Sequence, residues 1–322
     1  MKLFRLITLA FVLVLGVAAL PGVAHAARPN NPTVYTGIDI SWPQCGKPFP
    51  KGQAFGIVGV NGGKVTNTNP CLAEQLRWAA GSGGQVTAQD KVQLYVNTAN
   101  PGEVLEQYAV TSWPTTNIDS RNHVTLGNEN PLLNNPYGEC TTTEGVYRGY
   151  TNDMACSWQY GWNRAVETVD ERFNPAVSKA IAAGVTSLAS DPKAYIWWLD
   201  VETTNSWQGE NDAENVSGLA AKRARNTATL EAMKAFYHSE GITRVGLYST
   251  SLQWGRIVGS TINDPASTTG DNLNGLDGWL AGAANLSDAQ KRCTSNGPLT
   301  NLGRVSLVQY IAKNLDYNYS CI

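Results

Sequence analysis

Two carboxylates two residues apart close the segment Tyr195-Ile196-Trp197-Trp198-Leu199-Asp200-Val201-Glu202. Side chains at i and i+2 of a strand share a face. Asp200 and Glu202 would therefore stand side by side above Trp198, with Leu199 and Val201 turned into packing on the other face. A protonated and an ionised carboxyl held about 5.5 Å apart on a rigid element is the equipment of retaining glycoside hydrolysis. That chemistry needs only carboxylates and water, so it implies no metal and no organic cofactor.

Other strand ends repeat the pattern. Gly37-Ile38-Asp39-Ile40-Ser41-Trp42-Pro43-Gln44 ends an apolar alternation in Asp39. Leu307-Val308-Gln309-Tyr310 is followed by Leu315-Asp316-Tyr317-Asn318, and Val245-Gly246-Leu247-Tyr248-Ser249 and Gly278-Trp279-Leu280-Ala281 are two further short strands. In a parallel barrel the C-terminal ends of all strands open on one rim, where Asp39, Asp200, Glu202 and Asp316 would meet.

The elements that would carry them alternate. Strand-like runs at 35–41, 54–60, 91–97, 194–201, 244–249, 277–282 and 305–311 are interleaved with helical patterns at 71–81, 161–184, 217–240 and 251–259. Gly184 and Gly241 stand where helices stop. The alternation implies an α/β fold with a parallel sheet, open or closed into a barrel, in a single domain. Residues 99–160 form a long Asn-, Thr-, Pro- and Gly-rich loop insertion, and residues 260–276 a second loop.

Residues 1–26 read as a signal peptide: Lys2 and Arg5, an apolar stretch from Leu6 to Leu20, then Ala24-His25-Ala26 as a cleavage site. The domain would be 27–322, secreted or cell-wall associated, with no stable membrane insertion after cleavage. The chain carries 24 basic and 26 acidic residues, and the leader removes two of the basic ones. An acidic chain without a basic stripe speaks against nucleic acid as a partner.

Six cysteines remain in an exported chain and imply disulfides. Order along the chain favours Cys45 with Cys71, Cys140 with Cys156, and Cys293 with Cys321. No Cys-x2-Cys spacing is present and the histidines after the leader are His123 and His238, so a zinc site or a Ser-His-Asp triad is poorly supplied.

Taken in order, Gly37 to Gln44, Asp200-Val201-Glu202, Tyr248-Ser249, Trp279-Leu280-Ala281, Gln309-Tyr310 and Asp316-Tyr317-Asn318 resemble the motifs of the glycoside hydrolase family 25 lysozymes, the Chalaropsis-type muramidases. The resemblance spans residues 35 to 320. More closely, Gly37 to Cys45, Phe55 to Gly63 and Trp197 to Glu202 look like a set of exported actinobacterial family-25-like proteins. The resemblance implies an irregular TIM-like barrel and a secreted muramidase-like enzyme acting on peptidoglycan. It makes Glu202 the general acid, with Asp200 the nucleophile or the group orienting a substrate N-acetyl. Asp39 and Asp316 would hold that pair or stabilise oxocarbenium charge. Tyr248 and Gln309 are candidates for sugar hydroxyl or acetamido contacts, with Asn61 and Trp279 beside them. Trp42, Trp158, Trp162 and Trp207 lie in or beside expected rim loops and could stack on sugar rings.

The second strand departs from the family. Where the family reads a Lys or Arg, then Ala, then Ser or Thr, this chain has Gly59-Val60-Asn61-Gly62-Gly63. The 99–160 insertion and Gly282-Ala283 depart as well. A catalytically inactive glycan-binding barrel and a glycosidase for another polysaccharide therefore stand beside the muramidase reading.

Overall fold

Seven short strands run parallel and an eighth runs against them to close a barrel in the order β1 to β8. The strands are β1 (Gly37–Ile40), β2 (Gly56–Gly59), β3 (Val92–Asn97), β4 (Trp197–Asp200), β5 (Val245–Ser249), β6 (Asp277–Ala283), β7 (Val305–Ala312) and β8 (Leu315–Ser320). The helices are α1 (Leu72–Ala80), α2 (Met154–Val166), α3 (Asn174–Ala182), α4 (Leu219–Ser239), α5 (Ser251–Ile257) and α6 (Leu286–Ser295). This computed structural model describes residues 33–105, 110, 112–121, 133–142, 149–259 and 272–322. The leader expected at 1–26, His123, and parts of the two expected loops lie outside the described residues. Among the described residues, no helix is long and apolar enough to cross a membrane.

The expected all-parallel sheet needs one correction. β8 pairs antiparallel with both β7 and β1. Lys313 and Asn314 between β7 and β8 both have positive φ, 51° and 59°, the backbone of a two-residue hairpin turn that returns the chain beside itself. A crossover helix is not needed, and the motif Asp316-Tyr317-Asn318 becomes a strand that seals the barrel.

Alternation sorts the strand side chains into two layers. Trp197, Leu199 and Val201 join Leu94, Val96, Leu247 and Val308 in the large core between barrel and helices. Trp198 turns inward, where it packs with Phe55, Ile57, Trp279 and Leu307. Glycines make room for these rings: a Cβ at Gly37 would lie 2.2 Å from Phe55, and one at Gly246 would lie 2.3 Å from Trp198. Below them, Trp198 Nε1 donates to Gln93 Oε1 at 2.8 Å, and Gln93 Nε2 donates to Gln89 Oε1 at 2.8 Å. The barrel is thus filled and not a pore.

The helix expected over 161–184 starts earlier and is compound. Asp153 caps α2 by accepting from the Cys156 amide at 2.7 Å, so the loop reading of 99–160 fails over its last residues. A π-helical segment, Glu167–Phe173, leads into α3. Pro175 in the first turn of α3 has no N–H to give, and the wide turn before it absorbs the missing bond. Helix α6, inside a region without a sequence signal, is capped by Asn285, which accepts from the Asp288 amide at 3.0 Å. The three cysteine pairs form as chain order favours: Cys45–Cys71, Cys140–Cys156 and Cys293–Cys321.

Candidate functional site

Four carboxylates, from the adjacent strands β1 and β8 and from the end of β4 across the barrel, converge at the C-terminal mouth. Asp39 on β1 lies directly opposite Asp316 on β8. Asp200 ends β4, next to Asn97 on β3 and Tyr248 on β5. Glu202 follows in a turn closed by the Asn205 amide, which donates to the Glu202 carbonyl at 3.1 Å. The end of β4 is held from both sides, since Thr98 Oγ1 donates to the Asp200 carbonyl at 2.5 Å and Ser249 Oγ to the Val201 carbonyl at 2.7 Å.

Two of the four acids are buried and two reach solvent. Asp39 is 8% and Asp200 3% exposed, whereas Glu202 and Asp316 are half-buried. Asp39 Oδ1 accepts from Gln309 Nε2 at 3.0 Å and Asn318 Nδ2 at 2.7 Å. Gln309 in turn accepts from the Tyr248 hydroxyl at 2.8 Å. Asp200 Oδ2 accepts from Asn97 Nδ2 at 2.8 Å, and its Oδ1 is buried without a hydrogen-bond partner.

This environment keeps protons on carboxyl groups. Burial, then the charge of Asp316, pushes Asp39 up to about 8 despite its two amide donors. Burial and then Glu202 and Asp39 drive Asp200 well above the carboxylate range. Glu202 is raised mainly by burial, with a hydrogen bond from Gln253 pulling it back and the charge of Asp316 adding to the rise. Asp316 is raised by burial. Among the described residues, no Lys or Arg forms an ion pair with any of the four. Removing charges from water without a counter-ion favours the neutral form.

The second-strand departure has a structural reason. A Cβ at Gly59 would lie 2.6 Å from Ser41 Cβ and 2.7 Å from Tyr95 Cζ. The Tyr95 ring fills the space that a side chain at position 59 would take. Its phenol is raised by burial and then by the charge of Asp39, with Ser41 hydrogen-bonded to it. Tyr95 is a site residue that its sequence context did not reveal; only the glycine one strand away hinted that something large must approach.

Several expected ligand contacts are placed elsewhere. Asn61 is buried and structural: Nδ2 donates to the Val65 carbonyl at 3.0 Å and Oδ1 accepts from the Asn97 amide at 2.9 Å. Trp207 is in the outer core with Trp158 and Trp162, not in an open rim loop. Trp158 and Trp162 lie one helical turn apart on the inner face of α2 and stack at 5.4 Å. Trp279 is inside the barrel, 4.4 Å from the Tyr248 ring between centroids, so it supports Tyr248 from below. Trp42 alone among these tryptophans is open, at 49% exposure. Its indole lies over Gly63, where a Cβ would meet Nε1 at 2.3 Å. The short helical turn that carries it is tied down by Gln44 Oε1, which accepts from the Ser41 amide at 2.9 Å, and by Gln75 Nε2, which donates to the Ser41 carbonyl at 2.6 Å.

The opposite mouth holds a cavity of about 380 Å³ lined by Gln89, Arg244, Asp277 and Arg304 among others. Its charges are spent on one another, Arg244 with Asp90 and Arg304 with Asp277.

Fold and site together define a (β/α)-type barrel with an acidic cluster at its C-terminal mouth. No protein-family model matches the chain, and no curated protein sequence matches it. Among solved structures, the chain is similar at low TM-score to muramidases, a bacterial lysozyme and an autolysin. The muramidase from Acremonium alcalophilum shares 14% identity at a TM-score of 0.43 over 89% of this chain and 93% of that one. A bacterial lysozyme from Streptomyces coelicolor shares 12% at 0.43, over 90% and 93%. The modular autolysin LytC from Streptococcus pneumoniae, solved with a synthetic peptidoglycan ligand, shares 12% at 0.41, over 88% of this chain and 46% of that one. The barrel assignment stands on this chain's own strand register.

Proposed function

We propose that the chain is an exported muramidase-like glycoside hydrolase that cleaves peptidoglycan glycan strands. The observation that carries this reading is the cluster of four carboxylates at one barrel mouth with, among the described residues, no cation paired to them. Burial raises all four toward their protonated forms, and a proton held on a solvent-reaching carboxyl is what departure of a glycosidic oxygen requires.

Glu202 is the group for that role, because it is raised by burial yet still reaches solvent. Asp200 suits orientation of a substrate N-acetyl better than direct attack, since one of its oxygens is held by Asn97 and the other is buried. Asp39, fixed by Gln309 and Asn318, positions the cluster from beneath, and the charge of Asp316 adds to the rise that burial gives Glu202. Trp42 offers a flat apolar face at the rim on which a pyranose can stack. The leader at residues 1–26 would deliver the enzyme to the wall, its substrate.

The test is release of reducing ends from purified peptidoglycan. Glu202→Gln should reduce the rate by about 100-fold or more. Equal, background-level release from wild type and variant would refute the enzyme, and retention of glycan binding in that case would leave a binding barrel.

A further inference from the structure

On most sides of the barrel, cations meet carboxylates: Arg164 and Arg172 bind Glu167, Lys222 binds Glu103 and Asp212, and Arg292 binds Asp288. One side differs. The formal net charge of the whole chain is −2, yet between Ser41 and Lys91 it carries five basic residues against two acidic ones. Of those two acids, Asp90 is taken by Arg244, which leaves Glu74 at the start of α1. Lys47, Lys51, Arg77 and Lys91 are exposed, as is Lys179 in the last turn of α3. Among the described residues, none of these five forms an ion pair.

The fold gathers them onto one outer wall. Because β1 and β2 are parallel, the loop 41–55 must run from the C-terminal mouth to the opposite one, and it carries Lys47 and Lys51. Pro48 and Pro50 push the residues before them into extended backbone, so the four steps between the two lysines cover about 12 Å. The Cys45–Cys71 disulfide ties the upper part of this loop to α1, and lower down Trp78 Nε1 donates to the Pro50 carbonyl at 2.7 Å. Beside Trp78, Arg77 Nη2 donates at 3.5 Å to the carbonyl of Ala183, where α3 ends, which brings the helix of Lys179 alongside. The Gly83 and Gly84 amides donate to the Gln53 and Ala54 carbonyls at 3.0 and 2.8 Å. Lys91 crosses Gly84, where a Cβ would lie 2.6 Å from its Cε. The cations therefore project from pinned backbone.

We propose that this wall binds a linear polyol phosphate, a chain of phosphodiesters without bases. Cations in series neutralise successive phosphates, and the counterions released on contact drive such binding. From residue 47 to residue 91 no large apolar side chain is exposed. The wall thus offers no aromatic platform on which the bases of a nucleic acid stack, and no apolar anchor of the kind that enters a lipid surface. It is separate from the carboxylate mouth, so its ligand does not depend on what that mouth hydrolyses.

The experiment is fluorescence anisotropy of an end-labelled poly(glycerol phosphate) oligomer titrated with the protein across a salt series. Five contacts give a slope of log affinity against log salt of about −3. The triple variant Lys47→Gln, Lys51→Gln, Lys91→Gln should lower that slope to about −1 and weaken binding at low salt by about tenfold or more. Its melting temperature should match wild type, since the three side chains are exposed and unpaired. The control pair Lys291→Gln and Lys313→Gln, exposed lysines on α6 and in the β7–β8 turn, should change neither slope nor affinity. An unchanged slope in the triple variant, an equal loss in the control pair, or no binding at low salt overturns the inference. So does tighter binding of a single-stranded oligonucleotide of the same charge, or of phosphatidylglycerol vesicles. Each of these results is read without hydrolysis, so the glycan reading stands or falls separately.

Discussion

Asp39→Asn should stabilise the protein at alkaline pH while impairing the site. Asp39 is pushed up to about 8 by burial and by Asp316, whereas an exposed aspartate titrates near 4. Between those values the native state holds a proton that the unfolded chain releases. Stability from this group is therefore full below about pH 4 and is lost as pH rises through about 8. A tenfold difference in proton affinity is about 1.4 kcal/mol, so the ceiling at pH 8 is about 5 kcal/mol. Asp316 lies directly opposite on β8 and is itself raised, so it can take up the proton in place of Asp39, and a gain of about 2 kcal/mol is the working expectation. Asparagine keeps the oxygen that accepts from Gln309 and Asn318, and its NH₂ stands where the acid proton stood. Urea unfolding followed by tryptophan fluorescence at pH 4.5, 6 and 8 reads the difference. Wild type should lose stability with rising pH more steeply than the variant, with the two converging near pH 4.5. Parallel slopes would refute the assignment of Asp39 as a buried, proton-bearing acid.

Two further expectations are independent of that one. In its proposed role Glu202 acts protonated, and because it is raised, hydrolysis should persist on the acid side and fall on the alkaline side. Gln253→Ala, which removes the hydrogen bond that pulls Glu202 down, should move that alkaline limb to higher pH in a rate profile. Gly161→Ala should lower the melting temperature by a core-overpacking cost of about 1 to 3 kcal/mol, because its Cβ would lie 2.1 Å from the Thr229 carbonyl where α2 meets α4; Gly255→Ala, also helical but with nothing within 4 Å of its Cβ, should leave the melting temperature unchanged or higher.

The strand-borne carboxylates were legible because a period of two is a local property. Asp200 shares a face with Trp198 whatever surrounds them, and Leu199 must take the other, whereas Glu202 falls just past β4 in a turn. The cysteine order and the alternation that implied an α/β barrel were legible for the same reason. The tryptophans were not. Trp158, Trp162 and Trp207 stood in or beside segments rich in loop residues, but the Asp153 cap lets α2 begin early and turns the first two inward, and Trp207 joins the same core. Asn61 was likewise read at the rim, and its hydrogen bonds to Val65 and Asn97 withdraw it from the ligand.

What the sequence determined by itself is which residues are acidic, where they sit on their strands and which way they point. What only the tertiary structure decided is their ionisation and their company. β8 turns back through a two-residue hairpin and sets Asp316 against Asp39, and Gly59 admits Tyr95 into the place of a second-strand side chain. A carboxyl's proton affinity is set by the water it loses and the charges it meets, and both are fixed only when strands far apart in the chain close into one mouth.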